Sequence, residues 1–365
     1  MFQLDAILDP SARRALFGRV RLVGLFLLVF ASVAAALSVG LRAVSASPDM
    51  VVLSPKLEHL KTNADRYDTV FLGTSRTFYH IVPDFVEAGA AQAGCRNYSV
   101  YNFGVFGLTG AEQDWLLEEV LALGAIRRVI LEDPLPQPRD PGETTTQRGR
   151  FFHGPEDYAP AMSSIASYPE SALKRVYRTG VLGIGALYDL SGVGRGAALA
   201  FPEATPSAPH VFDMIEDGFE ALGSKMTPGI QARRDEFLAQ PERFEEALDL
   251  YGRTSPNIEA RADYMSAKLD RVEAAGKSAA LYISPDLLEL DRTAQVGFSV
   301  AERSPQATVL NFNRPDAYPE LFERDVWYDF SHLSRAGAEQ LSRKVGAELC
   351  AAQTSSGEGA LHAVR

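Results

Sequence analysis

The stretch DTVFLGTSRTFYH, residues 68–80, decides the fold of this chain. Its apolar run VFL, residues 70–72, is typical of a short strand that is buried on both faces, as in a parallel sheet. The run ends abruptly at Gly73, and Ser75 follows two residues later. A sharp turn needs the glycine, whereas the serine is either a helix cap or a nucleophile, and the rest of the chain has to distinguish the two.

Further strand-like runs alternate with helical patterns along the chain. The runs fall at residues 98–104, 127–134, 277–285 and 307–313. Helical patterns cover residues 83–93, 110–124, 259–276 and a final helix after His332. This alternation predicts an α/β protein, flavodoxin-like, with a five-stranded parallel sheet between two helical layers and the strand order 2-1-3-4-5. Because ligands of such sheets bind at the carboxyl ends of the strands, we expect four segments to meet on one rim: residues 73–76, 104–107, 132–134 and those after Asn313.

The N-terminal region contains an uncharged apolar segment, residues 22–41, that is long enough to cross a bilayer core of about 30 Å. The sequence favours an uncleaved transmembrane anchor over a core helix, which would show a polar face, and over a signal peptide, whose apolar region is shorter. The small residues VSAS at 44–47 keep a cleaved signal peptide open as an alternative. Only Arg42 follows the segment closely, whereas four arginines precede it: Arg13, Arg14, Arg19 and Arg21. The positive-inside rule then keeps the N-terminus in the cytoplasm and the main domain outside. In a bacterium this predicts a single-pass inner-membrane protein with a periplasmic or otherwise extracytoplasmic main domain.

These features divide the chain into predicted regions. They are a cytoplasmic tail (1–21), the anchor (22–42), a stalk (43–64), an extracytoplasmic domain (65–350) and a disordered tail (351–365). Within the domain, residues 139–258 break the strand–helix rhythm and are expected to form an inserted helical cap over the strand ends. The alternative is a packing annex without a role in binding.

Composition excludes several classes of function. The 36 Lys and Arg residues are outnumbered by 47 Asp and Glu, and this net charge of −11 argues against a nucleic-acid partner. The chain has two cysteines and no Cys/His cluster, so we predict neither a metal site nor a cofactor. Cys95 precedes the second strand and Cys350 closes the last helix, so the two either form a disulfide or remain separate thiols.

A serine hydroxyl becomes a good nucleophile only when a base removes its proton. His332 lies after the last strand and directly ahead of the last helix, which returns it to the rim that carries Ser75. Asp329 precedes it by three residues, a spacing that lets the carboxylate reach the imidazole and fix its tautomer. The alternative is that Asp329 merely caps the last helix.

Two motifs resemble the first and last sequence blocks of the SGNH (GDSL-like) hydrolase superfamily: FLGTSR at 71–76 and DFSHLSRAGAEQLS at 329–342. The resemblance implies that Ser75 is the nucleophile, His332 the base and Asp329 the acid that orients it. The family's glycine block resembles YNFGVFGLTG at 101–110, so the backbone N–H of Gly107 or Gly104 would bind the oxyanion beside that of Ser75. The resemblance covers roughly residues 66–138 and 276–350, and leaves the insertion out.

One block departs from the family. Where the family has Gly-x-Asn-Asp, with an asparagine that donates to the oxyanion, this chain has LEDP at 131–134. Carboxylates cannot donate unless protonated, and losing one oxyanion donor typically costs about 10²–10³ in rate. Arg76 or Asn102 could supply the missing donor, with Asp133 as a further accessory residue; alternatively, Arg76 pairs with Asp133 and is purely structural.

Two functions from different classes follow. The first is a membrane-anchored serine esterase or O-acyltransferase that acts on acylated carbohydrate, or another ester, of the envelope or of an exported polysaccharide. An acyl-transferring inner-membrane protein could then supply the acyl donor. The resemblance and the predicted topology imply this substrate class. The second is a weakly active or inactive scaffold or polysaccharide-binding subunit that keeps the fold.

Overall fold

The computed structural model of the chain describes residues 10–44, 50, 52–96, 98–133, 151–152, 162, 165, 171–191, 217–224, 226–252, 258–290 and 293–362. The chain divides into two compact units. One comprises Met1–Pro48 and Pro138–Thr205, and the other comprises Asp49–Gln137 and Pro206–Arg365. The second unit carries the sheet and the candidate site.

The second unit is an α/β structure built on a five-stranded parallel sheet, as the sequence predicts. Its strands are β1 (Thr69–Gly73), β2 (Val100–Gly104), β3 (Arg128–Glu132), β4 (Ser278–Ile283) and β5 (Thr308–Asn311). Their order across the sheet is β2-β1-β3-β4-β5, and every pairing is parallel. Every residue of β1 and β2 is buried, so neither strand has a solvent-exposed face. Apolar residues can therefore occupy consecutive positions in these strands.

Helices precede, connect and follow the strands. In this unit they are α2 (Leu53–Thr62), α3 (Ser75–His80), α4 (Pro83–Gln92), α5 (Gly110–Leu121), α7 (Pro228–Ala239), α8 (Pro241–Leu248), α9 (Ile258–Ala274), α10 (Thr293–Arg303) and α11 (Arg335–His362). Helices α4 and α11 pack closely through glycines, because a Cβ on Gly89 would lie 2.1 Å from the carbonyl oxygen of Arg343. A Cβ on Gly346 would likewise lie 1.9 Å from that of Val86. The backbones can approach this closely only without side chains.

A disulfide joins Cys95 to Cys350, with their Cα atoms 5.7 Å apart. This separation falls within the usual range of about 4.4–6.8 Å for a disulfide. The bond connects the loop after α4 to α11. The alternative of two separate thiols is therefore wrong for this structure.

Replacing both cysteines, as Cys95→Ala with Cys350→Ala, is expected to lower the free energy of unfolding by about 3–5 kcal/mol, because the bond closes a long loop in the unfolded chain. The two residues are separated by 255 positions. Urea unfolding of the full chain in detergent, under oxidising conditions, measures the difference from wild type. Reduced wild-type protein is the control and should match the variant; a loss under about 1 kcal/mol would contradict the prediction.

The stalk predicted over residues 43–64 needs correction, because residues 53–62 form α2 within the α/β unit. Leu53 and Leu60 are fully buried, and Leu57 nearly so. Lys56 is buried among them, and its Nζ donates to the carbonyl oxygens of Asn102 (2.9 Å) and Gly104 (3.0 Å). Burial lowers the pKa of Lys56 well below its usual value. The leucine spacing of four and three residues is a helix pattern that the stalk interpretation overlooked.

The predicted disordered tail at 351–365 also differs from the structure, since α11 continues to His362. An α-helix satisfies its own backbone hydrogen bonds, so it can extend beyond its last buried residue without new apolar surface. The apolar residues of α11 that recur at spacings of three and four are buried: Ala338, Leu341, Val345 and Leu349.

The predicted cap, residues 139–258, is divided between the two units. Residues from Pro206 onward belong to the α/β unit, where Phe237 and Phe244, from α7 and α8, join the main core. Phe219 packs against Val82 and Ala338. These described parts pack against the α/β unit. Most of residues 139–216 lie outside the described residues.

The other unit contains α1 (Pro10–Val44) and α6 (Ala172–Leu190). Within α1, the segment Gly18–Leu41 has a mean hydropathy of 2.6 and is long and apolar enough to span a membrane. A signal sequence near an N-terminus can also be long and apolar enough for this.

Candidate active site

The carboxyl ends of β1 and β2 lie side by side, with Gly73 paired in register with Gly104. Ser75 begins α3 immediately after β1. From Thr69 to Pro83 every residue is buried except Ser75, which is partly exposed. The chain therefore presents this one side chain to solvent from an otherwise buried strand–turn–helix segment.

Ser75, His332 and Asp329 form a continuous line of hydrogen bonds. His332 Nε2 lies 2.9 Å from Ser75 Oγ. His332 Nδ1 lies 2.9 Å from Asp329 Oδ1 and 3.1 Å from Oδ2. The first distance falls within the range of about 2.6–3.2 Å expected for a nucleophile and its base. This order matches the arrangement in which a carboxylate orients a histidine that deprotonates a serine.

The loop before α11 fixes Asp329. Its Oδ1 accepts the backbone N–H groups of Ser331 and His332, each at 2.8 Å. Burial alone would raise the pKa of Asp329. The net effect is a lowered pKa, because the carboxylate accepts hydrogen bonds from His332 and from the Ser331 N–H and lies near the charges of His332 and Arg233. Asp329 is therefore ionised near neutral pH and can stabilise a protonated His332.

Thr74, rather than Ser75, is the N-cap of α3. Its Oγ1 accepts the backbone N–H of Arg76 at 3.2 Å. A cap needs only one such hydroxyl, so capping does not account for Ser75.

Glu132, at the end of β3 and within the LEDP segment, acts as a hydrogen-bond acceptor. Its carboxylate accepts from the backbone N–H and the hydroxyl of both Thr74 and Thr77, and from Arg76 Nε, at 2.6–3.1 Å. A Cβ on Gly73 would lie 2.2 Å from Glu132 Oε2, so a glycine is needed there to admit the carboxylate. Glu132 thus holds the turn that carries Ser75.

Arg76 is buried and pairs with two carboxylates, Glu132 at 2.8 Å and Asp286. Asp133 pairs instead with Arg261, at 2.8 Å. Burial raises the pKa of Asp133, and the charge of Arg261 only partly offsets this. The structure therefore gives Arg76 a structural role of the kind the sequence allowed, but with Glu132 and Asp286 as partners in place of Asp133.

Asn102 attaches α3 to the sheet. Its amide nitrogen donates to the carbonyl oxygens of Thr77, Phe78 and Ile81, at 2.8, 3.2 and 2.6 Å. Its Oδ1 accepts the backbone N–H of Gly104 at 2.9 Å. The side-chain N–H groups of Asn102 and the N–H of Gly104 are thus committed to the fold.

The two predicted oxyanion glycines have different surroundings. A Cβ on Gly104 would lie 2.1 Å from the backbone nitrogen of Phe78, so this glycine admits the close approach of α3. Gly107, in the loop after β2, has φ +60°, a left-handed conformation that favours glycine. The N–H of Gly104 already donates to Asn102 Oδ1, which makes it the less suitable oxyanion donor of the two.

His80 has a role that the sequence did not reveal, because it follows Ser75 by only five residues. Its Nε2 accepts the backbone N–H of Leu333 at 2.9 Å, directly after His332, and its Nδ1 lies 2.7 Å from Ser284 Oγ. The accepting Nε2 places the proton on Nδ1. Burial, with the nearby His332 and Arg76, lowers the pKa of His80 well below its usual value. His80 is therefore a neutral connector between α3, the end of β4 and the His332 loop.

His80 should make stability fall in acid. The unfolded chain binds a proton at a histidine pKa of about 6.5, whereas folded His80 does not, so folding stability is lost as pH falls below about 6.5. We expect His80→Gln to lessen the loss between pH 7 and 5 by about 1 kcal/mol per pH unit, measured by urea unfolding of the full chain in detergent. Buried carboxyls with raised pKa values, such as Asp286, change stability in the opposite direction, so wild type and variant must be compared. Parallel profiles for the two proteins would contradict this prediction.

Helix α7 supports the Asp329 loop from the other side. Arg234 Nη1 donates to the carbonyl oxygens of Trp327 and Tyr328, both at 2.9 Å. The rings of Phe237 and Phe330 meet at 5.1 Å between centroids. This part of the predicted insertion therefore positions the acid–base loop, a contact that no sequence motif indicates.

Within the described ranges, no group of three or more His, Cys, Asp or Glu side chains could hold a metal ion. Comparisons of the chain with protein-family models, with curated proteins and with solved structures find no match. The geometry of the site is therefore the basis for its chemistry.

Proposed function

We propose that this protein is a serine esterase or O-acyltransferase of the SGNH type, with a flavodoxin-like three-layer catalytic domain. The line of hydrogen bonds from Ser75 through His332 to Asp329 carries the proposal. The lone exposure of Ser75 between Thr69 and Pro83 supports it, since a nucleophile must meet its substrate. The two motifs that resemble the SGNH superfamily contain the same three residues.

The geometry suits acyl transfer in two steps. His332 Nε2 takes the proton of Ser75 Oγ as the oxygen attacks the acyl carbonyl, and Asp329 stabilises the imidazolium. The backbone N–H groups of Ser75 and Gly107 bind the oxyanion. The intermediate collapses to an acyl-serine ester, and His332 gives its proton to the departing alcohol. Water or a sugar hydroxyl then attacks the ester, with His332 as base, which gives hydrolysis or transfer.

The second candidate is a catalytically weak or inactive polysaccharide-binding scaffold. One observation favours it: Glu132, in the segment that departs from the family's Gly-x-Asn-Asp block, accepts hydrogen bonds and donates none. The absence of such a donor typically slows catalysis by about 10²–10³, which weakens an enzyme but does not abolish its activity.

We place the site outside the cytoplasm, on a single-pass anchor formed by the apolar part of α1. The Cys95–Cys350 disulfide supports this placement, because disulfides persist in oxidising compartments. Acyl esters of envelope or exported polysaccharide are the proposed substrates, with an inner-membrane acyl-transfer protein as a possible donor. This substrate class rests on the motif resemblance and on the topology.

An acyl-release assay tests the proposal. Full-length protein in detergent is incubated with a chromogenic acetate ester and, separately, with O-acetylated polysaccharide, and released acetate and acyl transfer are both measured. Activity that needs both Ser75 and His332 would support the enzyme. No turnover of either substrate by folded protein would favour the scaffold.

A further inference from the structure

Helix α6 carries an apolar stripe that is open to solvent. Leu173, Val176, Tyr177, Ile184 and Leu187 are each 68–81% exposed. Counted from Leu173, the other four lie three, four, eleven and fourteen residues along the helix, which places all five on one side of it, within an arc of about 100°. A contiguous exposed apolar face of this kind marks a surface that binds something.

The opposite side of α6 already has a partner within its own unit. Leu182 is fully buried and packs with Ile165, and Met162 and Ala186 pack against this pair. The helix is thus anchored to protein by one face, while the exposed stripe faces away. Packing in the described part of this unit therefore does not account for the stripe.

Charge and position favour a lipid surface as the occupant. Three basic residues, Lys174, Arg175 and Arg178, lie in the first two turns of α6, although the chain as a whole has a net charge of −11. Around the helix these three residues lie on the side away from the stripe. A helix with an apolar face and a basic polar face is typical of one that lies in the headgroup region of an anionic membrane. Helix α6 also contacts α1 within the same unit. Helix α1 contains the segment Gly18–Leu41, which is long and apolar enough to span a bilayer.

We infer that α6 lies on the membrane surface beside α1, with its Leu173–Leu187 stripe buried in the headgroup region of an anionic bilayer. The inference rests on the membrane anchor that is part of the proposed function, but not on the proposed acyl-transfer chemistry. The helix would give the protein a second attachment to the membrane. An apolar face of another protein is the competing occupant.

Site-directed labelling separates these occupants. Both cysteines of the chain are in the disulfide, so an introduced cysteine is the only free thiol and can carry an environment-sensitive fluorophore. Full-length Ile184→Cys and Leu173→Cys report the stripe at two sites, so that one variant remains if the other folds poorly. Thr179→Cys is the matched control, because Thr179 is exposed on the same helix but lies off the stripe. Val29→Cys reports α1.

The proteins are reconstituted in vesicles of phosphatidylethanolamine and phosphatidylglycerol, and quenched by nitroxide-labelled lipid or by aqueous iodide. We expect lipid nitroxide to quench the stripe labels at least about threefold more than the Thr179 label, with the reverse order for iodide. Equal iodide access at Ile184 and Thr179, without lipid quenching, would overturn the inference. Protection from both quenchers would also overturn it, because it would indicate a protein occupant.

Two controls separate this inference from the proposed function. If the Val29 label is not quenched by lipid, the anchor itself is wrong and the inference fails with it. The same vesicles are assayed for release of a chromogenic acetate ester. A silent Ser75 site with a lipid-quenched stripe would remove the proposed enzyme and leave the membrane contact standing.

Discussion

Ser75→Ala is expected to lower acyl hydrolysis or transfer by at least about 10⁴-fold while leaving the protein folded. The hydroxyl is the group that attacks the carbonyl. Its removal requires no change in the backbone at residue 75. Its removal costs only the 2.9 Å hydrogen bond to His332, which is worth about 1 kcal/mol of stability. The assay measures acetate release by the full chain, together with its urea unfolding midpoint.

The pattern across variants distinguishes a nucleophile from a structural residue. His332→Ala should lose as much activity as Ser75→Ala, and the double variant should be hardly worse, since residues that act as one unit are not additive. Asp329→Asn should lose as much or less, because Asp329 only orients and stabilises the base. Full activity in Ser75→Ala would end the enzyme proposal.

Thr74→Ala is the matched control next to the nucleophile. It removes the N-cap of α3 and the 2.8 Å hydrogen bond from Thr74 Oγ1 to Glu132. We expect it to cost about 1–3 kcal/mol of stability, more than Ser75→Ala, while the Ser75 hydroxyl stays in place. A stability loss in Ser75→Ala as large as that in Thr74→Ala would indicate that Ser75 has a structural role.

Arg76→Ala is expected to destabilise the fold by about 3–5 kcal/mol, the largest stability effect of any single substitution considered. Arg76 is the buried cation between Glu132 and Asp286. Its loss removes the positive charge that these two buried carboxylates share. Glu132 organises the turn before Ser75, so the turn should loosen as well. Chemical denaturation of the full chain at neutral pH measures the change.

An exposed ion pair supplies the control for Arg76. Arg335 and Glu339 lie 2.9 Å apart on α11, and the Arg335 side chain is 69% exposed. Arg335→Ala should cost less than about 1 kcal/mol, because water solvates the remaining charge. Equal effects at Arg76 and Arg335 would contradict the view that the buried cluster holds the Ser75 turn.

The sheet could be predicted because its signals are local. Each strand is a short apolar run bounded by turn residues or helical patterns, and all five lie within the predicted runs. The parallel topology alone predicts that the carboxyl ends of the strands form one rim. This prediction places His332 near Ser75, although 257 positions separate them in the sequence.

The supporting residues could not be predicted because their partners are remote in sequence. Glu132 gave no sign that it accepts from Thr74 and Thr77, more than 50 positions away. The residues next to His80 do not indicate its role, because its partners Ser284 and Leu333 are more than 200 positions away. Lys56 was assigned to a stalk, since a charged residue rarely indicates a buried helix. Only the folded chain shows these contacts.

Covalent labelling by a fluorophosphonate tests most directly whether Ser75 is an activated nucleophile. The full-length protein in detergent is treated with the probe, digested and mapped by peptide mass spectrometry, with His332→Ala treated in parallel. We expect one phosphonylated serine, Ser75, in the wild type and the loss of this adduct in His332→Ala. Folded wild-type protein that stays unlabelled, or an adduct on another serine that persists in His332→Ala, would contradict it.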